Sequence, residues 1–383
     1  MLLMFMTFCL LGWRMKIKIY YGPRKGFDKS IPHSTEFISL SKLVEISDRK
    51  RRNLQIEVPN AAKEKEIKES FDNVVATTDE YSLLSDSGLN GFMSLLNEFR
   101  IKHIYFQNPP YIVVQQLKKV YSNIREESYF YENISMDRLK DFSNKFDSEI
   151  LGQENAKNRL MVYLYQIAKD YNGGKPLVLM LYGPTGVGKT ETAKLLSSVL
   201  EQRLFRKQFS MFHNNSFVDY IFGASHNSSS LSRDLLERES NVILFDEFDK
   251  PNSSFYSAFY QMFDEGRFED RNYQINLRNS VIFCTSNFRN EAQISQVLGD
   301  SIYNRFDAFI EYKPLSNGAV EQLVFRAFSQ LMDTLDPDDK NKINEQECLS
   351  TLLSYSTRLS NFRELDKFVK EYVFASILKA QKI

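Results

Sequence analysis

The chain has 383 residues, enough for about two to three domains and a sizeable core, and its 49 lysines and arginines balance 49 aspartates and glutamates. That neutrality excludes the Lys/Arg-rich footprint of a dedicated nucleic-acid binder, so no nucleic-acid partner is expected. Cys9, Cys284 and Cys348 lie far apart without a CxxC pair, and the histidines lack ligand spacing, which excludes structural zinc and fits a reducing, cytoplasmic setting.

The first element, MLLMFMTFCLLGW, is shorter than the roughly 18–20 apolar residues that span a bilayer. Arg14, Lys16 and Lys18 follow the apolar run instead of preceding it, unlike a secretory signal. Three readings of residues 1–14 stay open: a mis-assigned upstream start before Met15, a short membrane anchor, or an apolar segment docking on the domain. A membrane partner is not expected.

Residues 15–140 read as a mixed α/β domain of no recognised type. KIKIYYG and RIKHIYF are expected as strands, and YIVVQQLKKVYSNI as a helix opened by Pro109 and Pro110. DRKRRN (48–53) reads as a solvated basic loop, because no aromatic stacking platform is interleaved with it. NAAKEKEIKESFDN (60–73) reads as a charged helix. No motif here carries chemistry.

From about residue 141 the pattern changes. EILGQENAKNRLMVYLYQIAKDY is helical, NGGKP turns, and three short apolar runs follow: LVLMLY (177–182), NVILF (241–245) and SVIFC (280–284). Uninterrupted apolar runs separated by helical segments mark parallel strands buried on both faces. All three end in polar residues, and open α/β sheets bind ligands at the carboxyl ends of their strands. After Pro314 the strands stop: AVEQLVFRAFSQLMDTL puts Val320, Leu323, Val324, Ala327, Phe328 and Leu331 on one helical face. The reading is an α/β nucleotide-binding domain at 141–312 and a helical lid at 313–383.

Gly183-x4-Gly188-Lys189-Thr190 is a phosphate loop, the Walker A motif. Its glycines let backbone N–H groups wrap the phosphates, Lys189 reaches the β and γ oxygens, and Thr190 offers a hydroxyl to magnesium. Pro184, Thr185, Gly186 and Val187 complete the cradle. A strand before and a helix after it weigh against a ligand-free glycine turn. Asp246 ends the second run, where it can hold Mg2+ directly or through water. Glu247 is placed to orient and deprotonate a water attacking the γ-phosphate. An Asp-Glu pair alone is usually a solvated helix start, but after a buried strand downstream of a phosphate loop it points to ATP hydrolysis rather than a small-molecule kinase. Asn287 in CTSN can help fix that water, though a satisfied strand-end turn explains it equally. Arg305 in YNRFD can stabilise γ-phosphoryl charge from a neighbouring subunit; alone, a surface salt bridge would explain it better. Arg363 in SNFREL can reach the γ-phosphate from the lid.

ILGQENAK, GPTGVGKTETAK, NVILFDEFDK, FDEGRFEDRNYQINLRNSVIFCTSN, YNRFDAFIEYKPL and SNFREL occur in the order seen in AAA+ ATPases, and specifically resemble the Clp-type unfoldase and disaggregase modules over residues 141–378. The resemblance implies a P-loop AAA+ parallel-sheet domain followed by a helical lid, assembled into a ring, commonly a hexamer, acting on protein. It implies ATP–Mg at Lys189 and Thr190, an adenine loop at Leu151 and Gly152, Asp246 and Glu247 as the Walker B pair, and Asn287 as sensor 1. Arg305 would be the arginine finger acting in trans, and Arg363 the sensor 2 arginine. The protease-docking tripeptide of some relatives is not found, which favours a chaperone-type or standalone role.

One departure matters. Clp-type modules carry an aromatic-glycine pore loop before the Walker B strand, whereas this chain has HNSSS (226–230). Phe217, Tyr220 and Phe222 are the available substitutes for a gripping side chain. Protein remodelling by a ring ATPase is therefore the first expectation, and an ATP-dependent assembly switch or scaffold without threading the second. Nucleic-acid remodelling ranks last.

Overall fold

The computed structural model describes residues 15–33, 35–54, 68–211, 215–356 and 361–381. Residues 1–14, with their three open readings, lie outside these. The chain divides into two compact units, one drawn from Met1–Tyr131, Asn214–Glu239 and Arg267–Asn276, the other from Glu132–His213, Ser240–Gly266 and Leu277–Ile383. In chain order the first strands are β1 (Lys16–Tyr21), β2 (Ile38–Ser39), β3 (Ser70–Ala76), β4 (Arg100–Gln107) and β5 (Ile124–Ser128). Then come β6 (Leu177–Tyr182), β7 (Phe205–Gln208), β8 (Val242–Asp246), β9 (Arg267–Glu269), β10 (Gln274–Asn276), β11 (Val281–Thr285) and β12 (Ala308–Glu311).

In the N-terminal unit β1 to β5 form a parallel sheet in the order β2-β3-β4-β1-β5. Ile17, Ile19, Ile104 and Phe106 lie in its core with Leu40, Leu43, Phe92 and Val113 from flanking helices. Three sequence expectations change here. The basic DRKRRN stretch continues the helix Leu40–Leu54 rather than forming a loop. Leu40, Leu43 and Ser47 are buried along this helix, while Lys50 pairs with Glu69 at 3.1 Å and Arg51 with Glu98 at 2.9 Å. Of the charged-helix candidate 60–73, the first eight residues lie outside the described ones, and Ser70–Asn73 open β3, whose Val74 and Ala76 are fully buried beside β4. The helix after Pro110 stops at Val120, and Ile124 begins a strand.

In the second unit β6, β7, β8, β11 and β12 form a parallel sheet in the order β12-β6-β11-β8-β7. Every residue of β6, β8 and β11 is buried, as strands covered on both faces require. The helix expected from Glu149 begins only at Glu154 and runs to Ala168, preceded by a separate helix Met136–Glu149 that ends where it was expected to start. Between them Gly152 takes a φ of +73°, and a Cβ there would come within 3.1 Å of the Ala319 Cβ. Helices Asn317–Thr334, Glu345–Ser356 and Phe362–Ala380 follow, packing Val320, Val324, Phe328, Leu352, Leu365 and Val373 into a small core. Serine and asparagine cap two of them: Ser316 accepts from the Ala319 amide and Asn361 from that of Glu364. No helix among the described residues is long and apolar enough to cross a membrane.

Candidate functional site

Residues 183–188 link the buried strand β6 to the helix Lys189–Val199. Their glycines answer specific geometry. Gly183 has φ +131° and its missing Cβ would fall 2.1 Å from the Tyr312 carbonyl oxygen; Gly188 has φ +106° with Ile150 Cγ2 at 2.8 Å. Lys189 is 8% exposed, and its Nζ donates to the carbonyls of Gly183 and Pro184 at 2.6 Å each and to Asn287 Oδ1 at 3.3 Å. Burial pushes this ammonium down to about 8; Asp246 and Asp249 oppose the shift and Arg363 adds to it. A buried cation penalised in this way gains when an anion arrives, so the loop fits a phosphate group.

Neighbouring strands bring the other carboxylates to the same edge. Leu181 pairs with Thr285 and Phe245 with Cys284, so β6, β11 and β8 end side by side. Asp246 is 6% exposed. Its Oδ2 accepts from Arg206 at 3.0 Å (Nε) and 2.5 Å (Nη2), and its Oδ1 from the Thr285 hydroxyl. Glu247 sits at φ +57°, unusual for a residue with a side chain and a mark of a backbone held in place by its surroundings. Its amide donates to Thr285 Oγ1 at 3.0 Å, and its Oε2 accepts from Gln208 Nε2 at 3.2 Å. Thr190 and Asp246 stay the candidates for Mg2+ beside a bound phosphate. Among the described residues no cluster of three or more metal-ligating side chains exists. That is compatible with an ion held largely by phosphate and water.

The lid meets this loop. The Phe362 amide donates to the Gly186 carbonyl at 3.1 Å, and a Cβ on Gly186 would lie 2.9 Å from the Asn361 Cβ. Arg363, next in the chain, is exposed and acts electrostatically on Lys189. Leu151 packs partly buried on the lid core, and Gln153 locks the turn after Gly152 by exchanging hydrogen bonds with the Lys313 backbone at 2.8 and 3.0 Å. Arg305 makes its recorded contacts away from the loop: Nε on Asp264 at 2.8 Å, Nη1 on the Ser301 carbonyl, and the guanidinium 4.1 Å over the Tyr260 ring. Sequence reasoning missed Arg206 and Gln208 and gave no role to the strand-end Thr285; these three hold the two carboxylates. Arg206 and Gln208 reach the carboxylates through the pairing of β7 with β8, which no local pattern in FRKQ announces.

Residues 175–345 match the family model described as AAA domain (Cdc48 subfamily). That stretch is similar to Clp-type AAA+ ATPase modules. The module is similar to the ATP-dependent Clp protease ATP-binding subunit ClpL of Staphylococcus aureus strain USA300, 29% identical over 225 residues that cover 52% of this chain and 32% of the relative. The protein of the same name from strain MRSA252 is 28% identical over the same shares. The chain thus spans about a third of the length of the curated relatives it matches. A closed-state cryo-EM reconstruction of Hsp104 with ATPγS and FITC casein shares the fold, with a TM-score of 0.53 and 15% identity over 93% of this chain and 86% of that one.

Two of the three aromatic substitutes expected before the Walker B strand are buried. Phe217 and Tyr220 are 2% and 5% exposed, which removes them as substitutes, whereas Phe222 is 43% exposed. His226 is buried within the N-terminal unit, with Nδ1 3.0 Å from Asp86 Oδ1 and Nε2 2.7 Å from the Leu84 carbonyl. Arg233 reaches Ser82 at 3.0 Å and Asp79 at 2.5 Å.

Proposed function

We propose that the chain is an oligomeric cytoplasmic ATPase that assembles as a ring, with a hexamer the expected form, and couples ATP turnover to remodelling of protein partners. What supports this reading is the contact of Lys189 with Asn287 at 3.3 Å, the ends of β6, β11 and β8 side by side, and the electrostatic effect of Asp246 and Arg363 on Lys189. In this reading the amides of residues 183–188 and Lys189 hold the phosphates, and Thr190 and Asp246 hold Mg2+, which neutralises phosphate charge when bound. Leu151 and Gly152 lie against the adenine. Glu247 takes a proton from the attacking water that Asn287 orients, and ADP and phosphate leave. Arg305 of one protomer serves the site of the next, and Arg363 loses its γ-phosphate contact on hydrolysis, releasing the lid. The likeness to ClpL, an ATP-binding subunit, and to Hsp104 reconstructed with ATPγS and casein supports nucleotide and protein as ligands. The test is ATP hydrolysis by the purified assembly with and without an unfolded protein. Stimulation that disappears in Glu247→Gln supports the reading; a chain that stays monomeric and inert under ATP overturns it.

A second reading, an assembly switch that does not thread polypeptide, is favoured by the burial of Phe217, Tyr220 and His226. A segment pinned by its own side chains has little left with which to grip. Pulling of a fluorescently labelled unfolded protein through the ring supports remodelling by translocation; ATP-dependent binding without passage supports the switch.

A further inference from the structure

The two sheets share more than strand order. β1 and β6 are each followed by the same turn, Tyr21-Gly22-Pro23 and Tyr182-Gly183-Pro184. Tyr20 pairs with Gln107 as Leu181 pairs with Thr285, and Ala76 pairs with Phe106 as Phe245 pairs with Cys284. The amides of Tyr129 and Tyr312 donate to the carbonyls of Tyr21 and Tyr182, each at 2.8 Å. On this register Thr77 and Thr78 stand where the AAA+ module has Asp246 and Glu247. Between β1 and its helix lie only Gly22 and Pro23, in place of the module's residues 183–188. So short a turn cannot wrap a triphosphate in backbone amides, and threonines cannot serve as the water's base.

A carboxylate fills that crevice instead. Glu237 Oε1 accepts from Thr78 Oγ1 at 2.5 Å, Gln107 Nε2 at 2.8 Å and Asn108 Nδ2 at 3.0 Å, and its Oε2 accepts from the Arg24 amide at 3.0 Å. The three donor side chains are nearly or fully buried: Thr78 4%, Gln107 1% and Asn108 0% exposed. Asn108 is held at φ +46°, its Oδ1 accepting from the Gly22 amide at 2.8 Å and its Nδ2 donating to the Gly22 carbonyl at 2.9 Å. Four uncharged donors from three parts of the chain thus converge on two anionic oxygens, an arrangement that selects an oxyanion. We propose that the carboxyl edge of the N-terminal sheet is an oxyanion site, occupied from within by the Glu237 carboxylate where a nucleotide-binding copy of this fold would hold phosphate. The unit binds its own chain and no nucleotide, and in doing so fastens residues 215–239.

The inference does not depend on the ATPase reading. Its test is thermal unfolding and amide hydrogen exchange of the full chain carrying Lys189→Ala to silence the module's site, with and without Glu237→Ala. The expected result is a melting temperature lowered by several degrees and faster exchange over residues 215–239. Acetate or inorganic phosphate restores both, and chloride at equal ionic strength does not. Acetate acting alone marks a receptor cut to a carboxylate, and phosphate acting as well marks a general oxyanion site; both support the proposal. No anion-specific recovery overturns it, as does a larger stabilisation by ATP than by either small anion. If Glu237→Ala does not fold, Glu237→Gln keeps the side-chain size while turning an amide N–H group toward the donors, and unchanged stability in that variant also overturns the proposal.

Discussion

At the residue scale, the phosphate loop and the Walker B end pair strain with function. Glu247 adopts a left-handed backbone while Thr285 and Gln208 hold its amide and carboxylate. Glu247→Gln keeps the shape and the Gln208 neighbour but removes the base. ATP binding is therefore expected to persist with turnover reduced at least ~100-fold, measured by phosphate release beside equilibrium binding of a fluorescent ATP analogue. Equal turnover in that variant refutes the assignment. Gly183 is constrained differently: a methyl group there meets the Tyr312 carbonyl at 2.1 Å, in backbone rather than in a movable side chain. Gly183→Ala is expected to cost about 3 kcal/mol or more, combining overpacking with a disfavoured φ, and chemical denaturation reads it directly.

At the element scale, β8 delivers its carboxylates from a nest of rings. Phe248 is fully buried, stacked on Tyr256 at 5.1 Å and touching Phe209, Phe259, Phe263 and Phe306. Phe248→Ala is expected to lose about 3–5 kcal/mol of stability and, by loosening the turn after Glu247, to slow hydrolysis more than it weakens ATP binding. Elements of this kind were legible in the sequence where their residues are consecutive. Walker A, the three apolar strands and the helical lid each announce themselves within a dozen positions. The carboxylate supports were not legible, because Arg206 and Thr285 reach Asp246 only through strand pairing. The helix over DRKRRN was hidden for another reason: its buried residues Leu40, Leu43 and Ser47 all precede the charged run, so the local composition carried no apolar period. The doubled Tyr-Gly-Pro was a visible signal of a repeated fold, obscured by the missing lysine and the shortened turn.

At the scale of the whole molecule, two sheets of the same topology come with one set of nucleotide residues. The expected stoichiometry is one ATP per chain, not two, measured by calorimetric titration; a second site surviving in Lys189→Ala contradicts it. Self-association offers a sharper check on Arg305. Chains carrying Lys189→Ala and chains carrying Arg305→Ala should each be inactive, yet mixing them pairs an intact cradle with an intact arginine and should recover a fraction of the ATPase rate. No recovery in a mixture shown to co-assemble removes the trans role.

The composite make-up of the N-terminal unit also bears on how the polypeptide is made. Residues 15–131 are translated well before the pieces that complete their unit, 214–239 and 267–276. The early product must wait with its edge uncovered and its Glu237 partner absent. A chaperone-dependent lag is therefore expected before the nascent chain resists protease, ending only after about residue 276 has cleared the exit tunnel.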